Sequence, residues 1–262
     1  MNYQMSYIER MIPIHNLDNG YNARFRGTEW ADKIQNKYDI ILIGLGGIGS
    51  NTTYTVGRLK PKNITLIDPD RINNVNLSGQ MYTVNDLGEE KVNKCKQLLV
   101  KYCDYTGFTI AAKHDHFNKS HIYNFMRYDQ SLTHVCITGL DNMQARQNVF
   151  IAFNEAIKDT SIEGRIILID SRMTIDKCQV ITLDTYNPNF DFHLKRYKNQ
   201  MLFNDSEAES DVCSAKQTTY MGTMIASLIA NTLVNTAQPA SNTVPFLLEY
   251  DANTFNLKKE YE

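Results

Sequence analysis

Apolar residues in this chain follow two rhythms. Short runs at 40–43, 64–67, 108–112, 134–138, 165–169, 179–183 and 246–250 have the length and branched-aliphatic content of buried strands. Elsewhere they recur every three or four residues, as in Val92, Cys95, Leu99, Tyr102 and Cys103, which predicts helices with one buried face. Helices are expected at 28–36, after the glycines near residue 47, at 89–105 and 120–128, from the cap pair Asp141–Asn142 to about 158, and at 218–235. This alternation predicts a Rossmann-like α/β fold: a doubly wound, mainly parallel sheet with helices on both faces. Two stretches break the rhythm. Residues 71–88 form a polar connection with only Val75, Leu77 and Met81 as clear apolar anchors, and residues 184–212 read as a long crossover loop. Residues 1–37 read as an N-terminal arm and 38–262 as one domain.

The centre of the pattern lies between residues 38 and 70. A strand stops at Gly44-Leu45-Gly46-Gly47-Ile48-Gly49, a helix start follows, and a second strand ends in Asp68 and Asp70. Strand, glycine turn, helix, strand and acid are the parts of a nucleotide-binding βαβ unit. The glycines admit a tight turn and a close phosphate, and the helix N-terminus offers N–H groups and a positive dipole end. Asp68, 24 residues after Gly44, stands where a ribose is held. Alone, this unit fits an NAD- or FAD-dependent oxidoreductase as well as an ATP enzyme.

Composition removes other classes. With 27 basic and 29 acidic residues among 262, the formal charge of −2 gives no reason for general nucleic-acid or anionic-membrane binding. Five cysteines without a CxxC pair suit neither a disulfide framework nor a four-thiolate zinc site, so no zinc is expected. No signal-peptide pattern and no bilayer-length apolar run are found, which predicts a soluble, cytoplasmic protein.

Ligands of open α/β sheets bind beyond the carboxyl ends of the strands. Those ends carry the glycine turn, Asp68 and Asp70, Gly139 to Asn142, and Asp170 to Arg172. Asp141 reads as a helix cap or, beside a polyphosphate, as a carboxylate for Mg²⁺. The 71–88 connection adds Asn76 and Gln80. Lys91 follows it in the first turn of a helix, where a cation gains nothing from the dipole and an anion partner is favoured.

Four ordered motifs, GLGGIGS, DPDRINNVNLSGQ, DLGEEKV and TGLDNMQAR, resemble the ThiF/MoeB/HesA family of adenylating proteins, which are related to ubiquitin-activating enzymes. That family shows GxGGxGS, DxDxVxxxNLxRQ, DIGxxKA and TDNxxxR in this order. The resemblance implies ATP-dependent adenylation of a carboxylate, commonly the C-terminus of a ubiquitin-like protein or a peptide, and a homodimer. Carried over, it places Gly44, Gly46, Gly47 and Gly49 at the phosphates, Asp68 on the ribose, and Asn76 and Lys91 on phosphates. It also places Asp141 on Mg²⁺ and Arg146 as the matching helix arginine, and lets Arg24 or Arg26 reach a partner subunit's γ-phosphate.

The chain departs from that pattern at Gly79, where NLxRQ has an arginine; Arg71, Arg146 or an arm arginine would have to replace it. The zinc-binding CxxC pairs of many members are missing. Cys213, between an acidic stretch and the 218–235 helix, stands equally as a transfer nucleophile and as an ordinary thiol; Lys216 beside it would favour the thiolate. Met224, Ala226, Ile229, Ala230 and Leu233 form a small apolar face that fits either a subunit contact or internal packing. A non-catalytic, scaffold-type family member is the other reading, and Gly79 is its main support.

Overall fold

The first strand, β1 (Tyr38–Ile43), is buried on both faces, and the sheet is built outward from it. The structure, a computed structural model, describes residues 25, 28–103, 109–127, 129, 131–159, 164–203, 218–238 and 244–262. Before β1 runs α1 (Glu29–Lys37). After it come α2 (Gly47–Gly57), β2 (Asn63–Ile67), α3 (Lys91–Cys103), β3 (Thr109–Lys113), α4 (Lys119–Arg127), β4 (Thr133–Thr138) and α5 (Met143–Ala156). The chain continues as β5 (Ile166–Met173), β6 (Lys177–Asp184), α6 (Phe190–Arg196), α7 (Thr219–Ala237), β7 (Leu247–Asp251) and β8 (Asn256–Glu260).

The sheet order is β3-β2-β1-β4-β5-β6-β7-β8. From β3 to β5 the pairing is parallel, and β6, β7 and β8 are added antiparallel. The mainly parallel, doubly wound arrangement expected from the alternation is therefore present. Alternate strand residues feed two cores. Ile40, Leu42, Ile64, Leu66, Val135 and Ile137 pack with residues of α1, α2, α3 and α7. Ile41, Ile43, Ile67 and Cys136 pack with residues of α4 and α5 and with Tyr197. Each fully buried aliphatic side chain contributes roughly 1.5–3 kcal/mol. β1 has β2 on one side and β4 on the other, so the chain changes direction across the sheet at this strand. In such sheets the crevice opens at the carboxyl ends of these strands.

Several expectations are corrected. Within 71–88, Ile72 and Tyr82 are the buried anchors, whereas Val75 is 78% exposed and Met81 also faces solvent. Two short 3-10 turns, Asn74–Ser78 and Val84–Asp86, break the helical rhythm there, so the pattern gives no warning. The predicted crossover loop contains α6 and a following π-type turn, Tyr197–Met201. β5 does not stop at residue 169 but runs on to Met173, placing Asp170, Ser171 and Arg172 inside a strand. β8 went unseen because NLKKE is a charged edge strand with a single apolar residue.

α7 buries Ala226, Ile229, Ala230 and Leu233 in this chain's own core, and Met224 packs beside them. The small-residue face is thus largely taken up by intramolecular packing. No helix among the described residues is long and apolar enough to cross a membrane.

Candidate functional site

The glycine turn is fixed by close backbone approach. Gly44 has φ +85°, and a Cβ there would lie 2.8 Å from the Gly139 carbonyl oxygen; a Cβ on Gly49 would lie 1.8 Å from the Gly44 oxygen. Only glycine allows both contacts. The turn is also held from outside. The Leu45 N–H donates to Asp68 Oδ2 at 2.6 Å, Tyr82 Oη donates to the Leu45 carbonyl at 2.7 Å, and the Met81 N–H donates to Ser50 Oγ at 3.1 Å. Tyr82 is thus a functional support that sequence reasoning missed. Its position in a polar, non-periodic connection carried no signal.

What the turn presents is an open helix end. α2 begins after Gly46, which has no side chain to cap the first-turn N–H groups. Gln80 lies over it, with Nε2 3.9 Å from where a Gly46 Cβ would stand. Gln80 Oε1 is buried without a hydrogen-bond partner among the described residues. An amide oxygen left unmatched beside an uncapped helix start can accept from a polar ligand or a water there. Asn76 is buried as well; its Oδ1 accepts from the Asn73 N–H at 2.9 Å, which fixes the 3-10 turn leading to Gln80.

Charge gathers on the β2 side. Asp68 Oδ1 accepts from the Asp70 N–H at 2.8 Å, so both Asp68 oxygens hold backbone. Burial pushes its carboxyl up, against the opposing pull of Lys91 and the two N–H donors. Lys91 Nζ lies 2.7 Å from Asp70 Oδ2. On the β4 side, Gly139 touches the turn, and two residues on Asp141 is exposed, accepting from Asn142 Nδ2 at 3.1 Å. Asn142 supplies the cap of α5, accepting from the Ala145 N–H. Asp141 is therefore left free of the capping role.

The other sequence candidates with described side chains are held in contacts of their own. Arg146 is buried and donates to Asp170 Oδ1, to the Ser171 carbonyl at 3.0 Å and to the Leu140 carbonyl. Asp170 also accepts from Thr138 Oγ1, Tyr197 Oη and, through two bonds, Arg172. Burial alone would raise the Asp170 carboxyl; the two guanidiniums outweigh it and hold it below the usual range. In this structure Arg146 clamps the Leu140 turn that carries Asp141. Arg71, another proposed substitute for the arginine replaced by Gly79, is largely exposed and pairs with the Gly88 carbonyl and Glu90. Arg24, Arg26 and Cys213 lie outside the described residues. Burial pushes the Cys95, Cys103 and Cys178 thiols up to about 11 and raises Cys136 further, which makes them poor nucleophiles. Among the described residues no group of three or more His, Cys, Asp or Glu side chains is placed to hold a metal.

The decisive comparison is with protein families: the ThiF family model matches residues 18–261. The chain belongs to the ThiF family. No curated protein matches it closely enough in sequence to add to this. Solved structures share the ThiF fold at low identity. PaaA has a TM-score of 0.64 and 13% identity over 99% of this chain and 77% of its own. The Escherichia coli enzyme MccB, solved with ATP, has a TM-score of 0.58 and 15% identity over 88% of this chain and 65% of its own. A structure titled as the microcin C7 biosynthetic enzyme MccB in complex with N-formylated MccA has a TM-score of 0.60 and 16% identity over 95% and 74%. This ThiF-family chain therefore spans about two thirds to three quarters of the length of these relatives.

Proposed function

We propose that this protein is an ATP-dependent adenylating enzyme that activates the carboxyl terminus of a peptide or of a ubiquitin-like protein. The observation that carries the reading is the uncapped start of α2 with the unsatisfied Gln80 and the cation Lys91 around it. Those groups fit a polyphosphate: N–H donors and a dipole end for the oxygens, an amide, and a buried ammonium. Membership of the ThiF family supports ATP over a redox nucleotide, and the MccB structures with ATP and with MccA support a peptide substrate.

In the reaction the substrate carboxylate oxygen attacks the α-phosphorus, the bond to the bridging oxygen breaks, and pyrophosphate leaves with that electron pair. The protein's task is to align the groups and offset charge on the phosphoryl oxygens. The α2 N–H groups and Lys91 do this on one side, and Asp68 receives the ribose on the other. Mg²⁺ bound with the nucleotide would neutralise phosphate charge, and Asp141 would be the carboxylate that holds it. Arg24 or Arg26 would serve a neighbouring subunit's site in a homodimer, and Cys213 would accept the acyl group if transfer follows.

One observation favours a second reading. With Gly79 in place of an arginine and Arg146 and Arg71 paired with Asp170 and Glu90 in this structure, a non-catalytic family member that binds nucleotide as a scaffold would show the same cleft. Exchange of labelled pyrophosphate into ATP, dependent on a peptide with a free carboxyl terminus, decides between them. Exchange supports adenylation; ATP binding with no exchange for any peptide or ubiquitin-like partner supports the scaffold.

A further inference from the structure

Asp70 and Lys91 form an unequal pair. The Lys91 side chain is 5% exposed and that of Asp70 61%, yet the two meet at 2.7 Å. Lys91 also stands in the first turn of α3, where the helix dipole disfavours a cation. A buried ammonium requires a counter-charge. Asp68, the buried carboxylate whose charge Lys91 also feels, has both oxygens bound to backbone N–H groups, and Asp70 supplies the direct contact. The backbone agrees, since the Lys91 N–H donates to the Asp70 carbonyl at 3.1 Å and fixes the two residues side by side.

This asymmetry decides which partner leaves. Asp70 regains water by a side-chain rotation, at little cost for a group already largely solvated. Lys91 starts from a side chain that is almost wholly buried. The pair therefore opens from the Asp70 side, and Lys91 stays in the cleft ready for another anion.

We propose that Asp70 is a stand-in for phosphate and not a nucleotide ligand: it pairs with Lys91 at the cleft and competes with an incoming polyphosphate for it. The inference rests on the nucleotide reading above and reassigns Asp70 within that site.

The test is calorimetric titration of the full-length protein with ATP, inorganic pyrophosphate and adenosine. Asp70→Asn keeps an oxygen facing Lys91 but removes the charge. It is expected to tighten ATP and pyrophosphate about 3- to 10-fold and to leave adenosine unchanged, an ordinary range for removing one competing ion-pair partner. Asp70→Glu, which restores the charge, is expected to return both affinities to wild-type values. In a Lys91→Met background, Asp70→Asn is expected to have no further effect. Weaker ATP and pyrophosphate binding in Asp70→Asn would overturn the proposal and make Asp70 a ligand or a structural residue while leaving the nucleotide site in place. Unchanged affinities would overturn it as well. Wild-type protein that bound neither ATP nor pyrophosphate would instead remove the nucleotide reading itself, and the stand-in role with it.

Discussion

Two charged centres lie at the carboxyl edge of the same sheet, and they are built on opposite plans. At the ends of β1 and β2 the polar groups are incomplete among the described residues: an uncapped helix start, an amide oxygen with no partner, and a lysine whose counter-ion is mostly in water. Along β4 and β5 they are complete: Asp170 receives Thr138, Arg146, Arg172 and Tyr197, and both guanidiniums find further carbonyl oxygens. On the proposed function, the first arrangement keeps free energy in reserve for a ligand. The second spends it on joining α5, β5 and the turn after α6. Charge at a strand end thus does not by itself mark a site; what matters is whether the donors and acceptors there are already matched.

The sharpest way to break this contrast is to unmatch the closed centre. Asp170→Ala leaves two buried guanidiniums without their carboxylate and is expected to cost about 3–5 kcal/mol in a urea unfolding curve. The folded fraction should still bind ATP with near wild-type affinity. A loss of ATP binding without a loss of stability would place Asp170 in the nucleotide site instead.

Lys91→Met should act the other way round. ATP affinity is expected to fall about 10- to 100-fold, the worth of one charge-assisted hydrogen bond of roughly 1.5–3 kcal/mol. Stability should change far less than at Asp170, because Asp70 is solvated once released.

Asp141→Asn, on an exposed turn, is expected to shift stability by less than about 0.5 kcal/mol. Its effect should surface as a higher Mg²⁺ requirement for half-maximal pyrophosphate exchange. An unchanged Mg²⁺ dependence would leave Asp141 without a role in the reaction.

The smallest effect is in the pH dependence, where the two centres have opposite signs. Asp170 is held below the usual carboxylate range by Arg146 and Arg172 against burial. Its contribution is full above about pH 4, where an unfolded aspartate is ionised, and is lost as pH falls through the lower folded value. Asp68 is raised by burial. The folded chain binds that proton more readily, so Asp68 favours folding below about pH 4 and loses this as pH rises through the raised value. Urea midpoints from about pH 3 to about pH 7 should show a weakened acid limb in Asp170→Asn. In Asp68→Asn the fall on the rising side should be reduced.

The parts that were legible in the sequence are those where one residue type answers one physical demand. The runs at 40–43 and 64–67 had to be buried strands, and Gly44 and Gly49 had to be glycine, since any Cβ would meet backbone. Asp68 followed from its place at the end of β2. What stayed hidden depends on pairing. Nothing in TGLDNMQAR tells that Arg146 turns to Asp170, or in DPDR that Asp70 meets Lys91; these are contacts between elements, and the one-dimensional pattern records only periodicity and composition. Tyr82 and β8 were missed for a related reason: one is an anchor in a non-periodic connection, the other an edge strand whose residues face water.

The central claim is that the open centre receives ATP. Thermal unfolding of the protein with ATP–Mg²⁺ and, separately, with NAD tests it most directly. At about a hundredfold over Kd, ATP–Mg²⁺ is expected to raise Tm by about 5 °C or more, with NAD leaving it unchanged. A rise with NAD and none with ATP–Mg²⁺ would contradict the account.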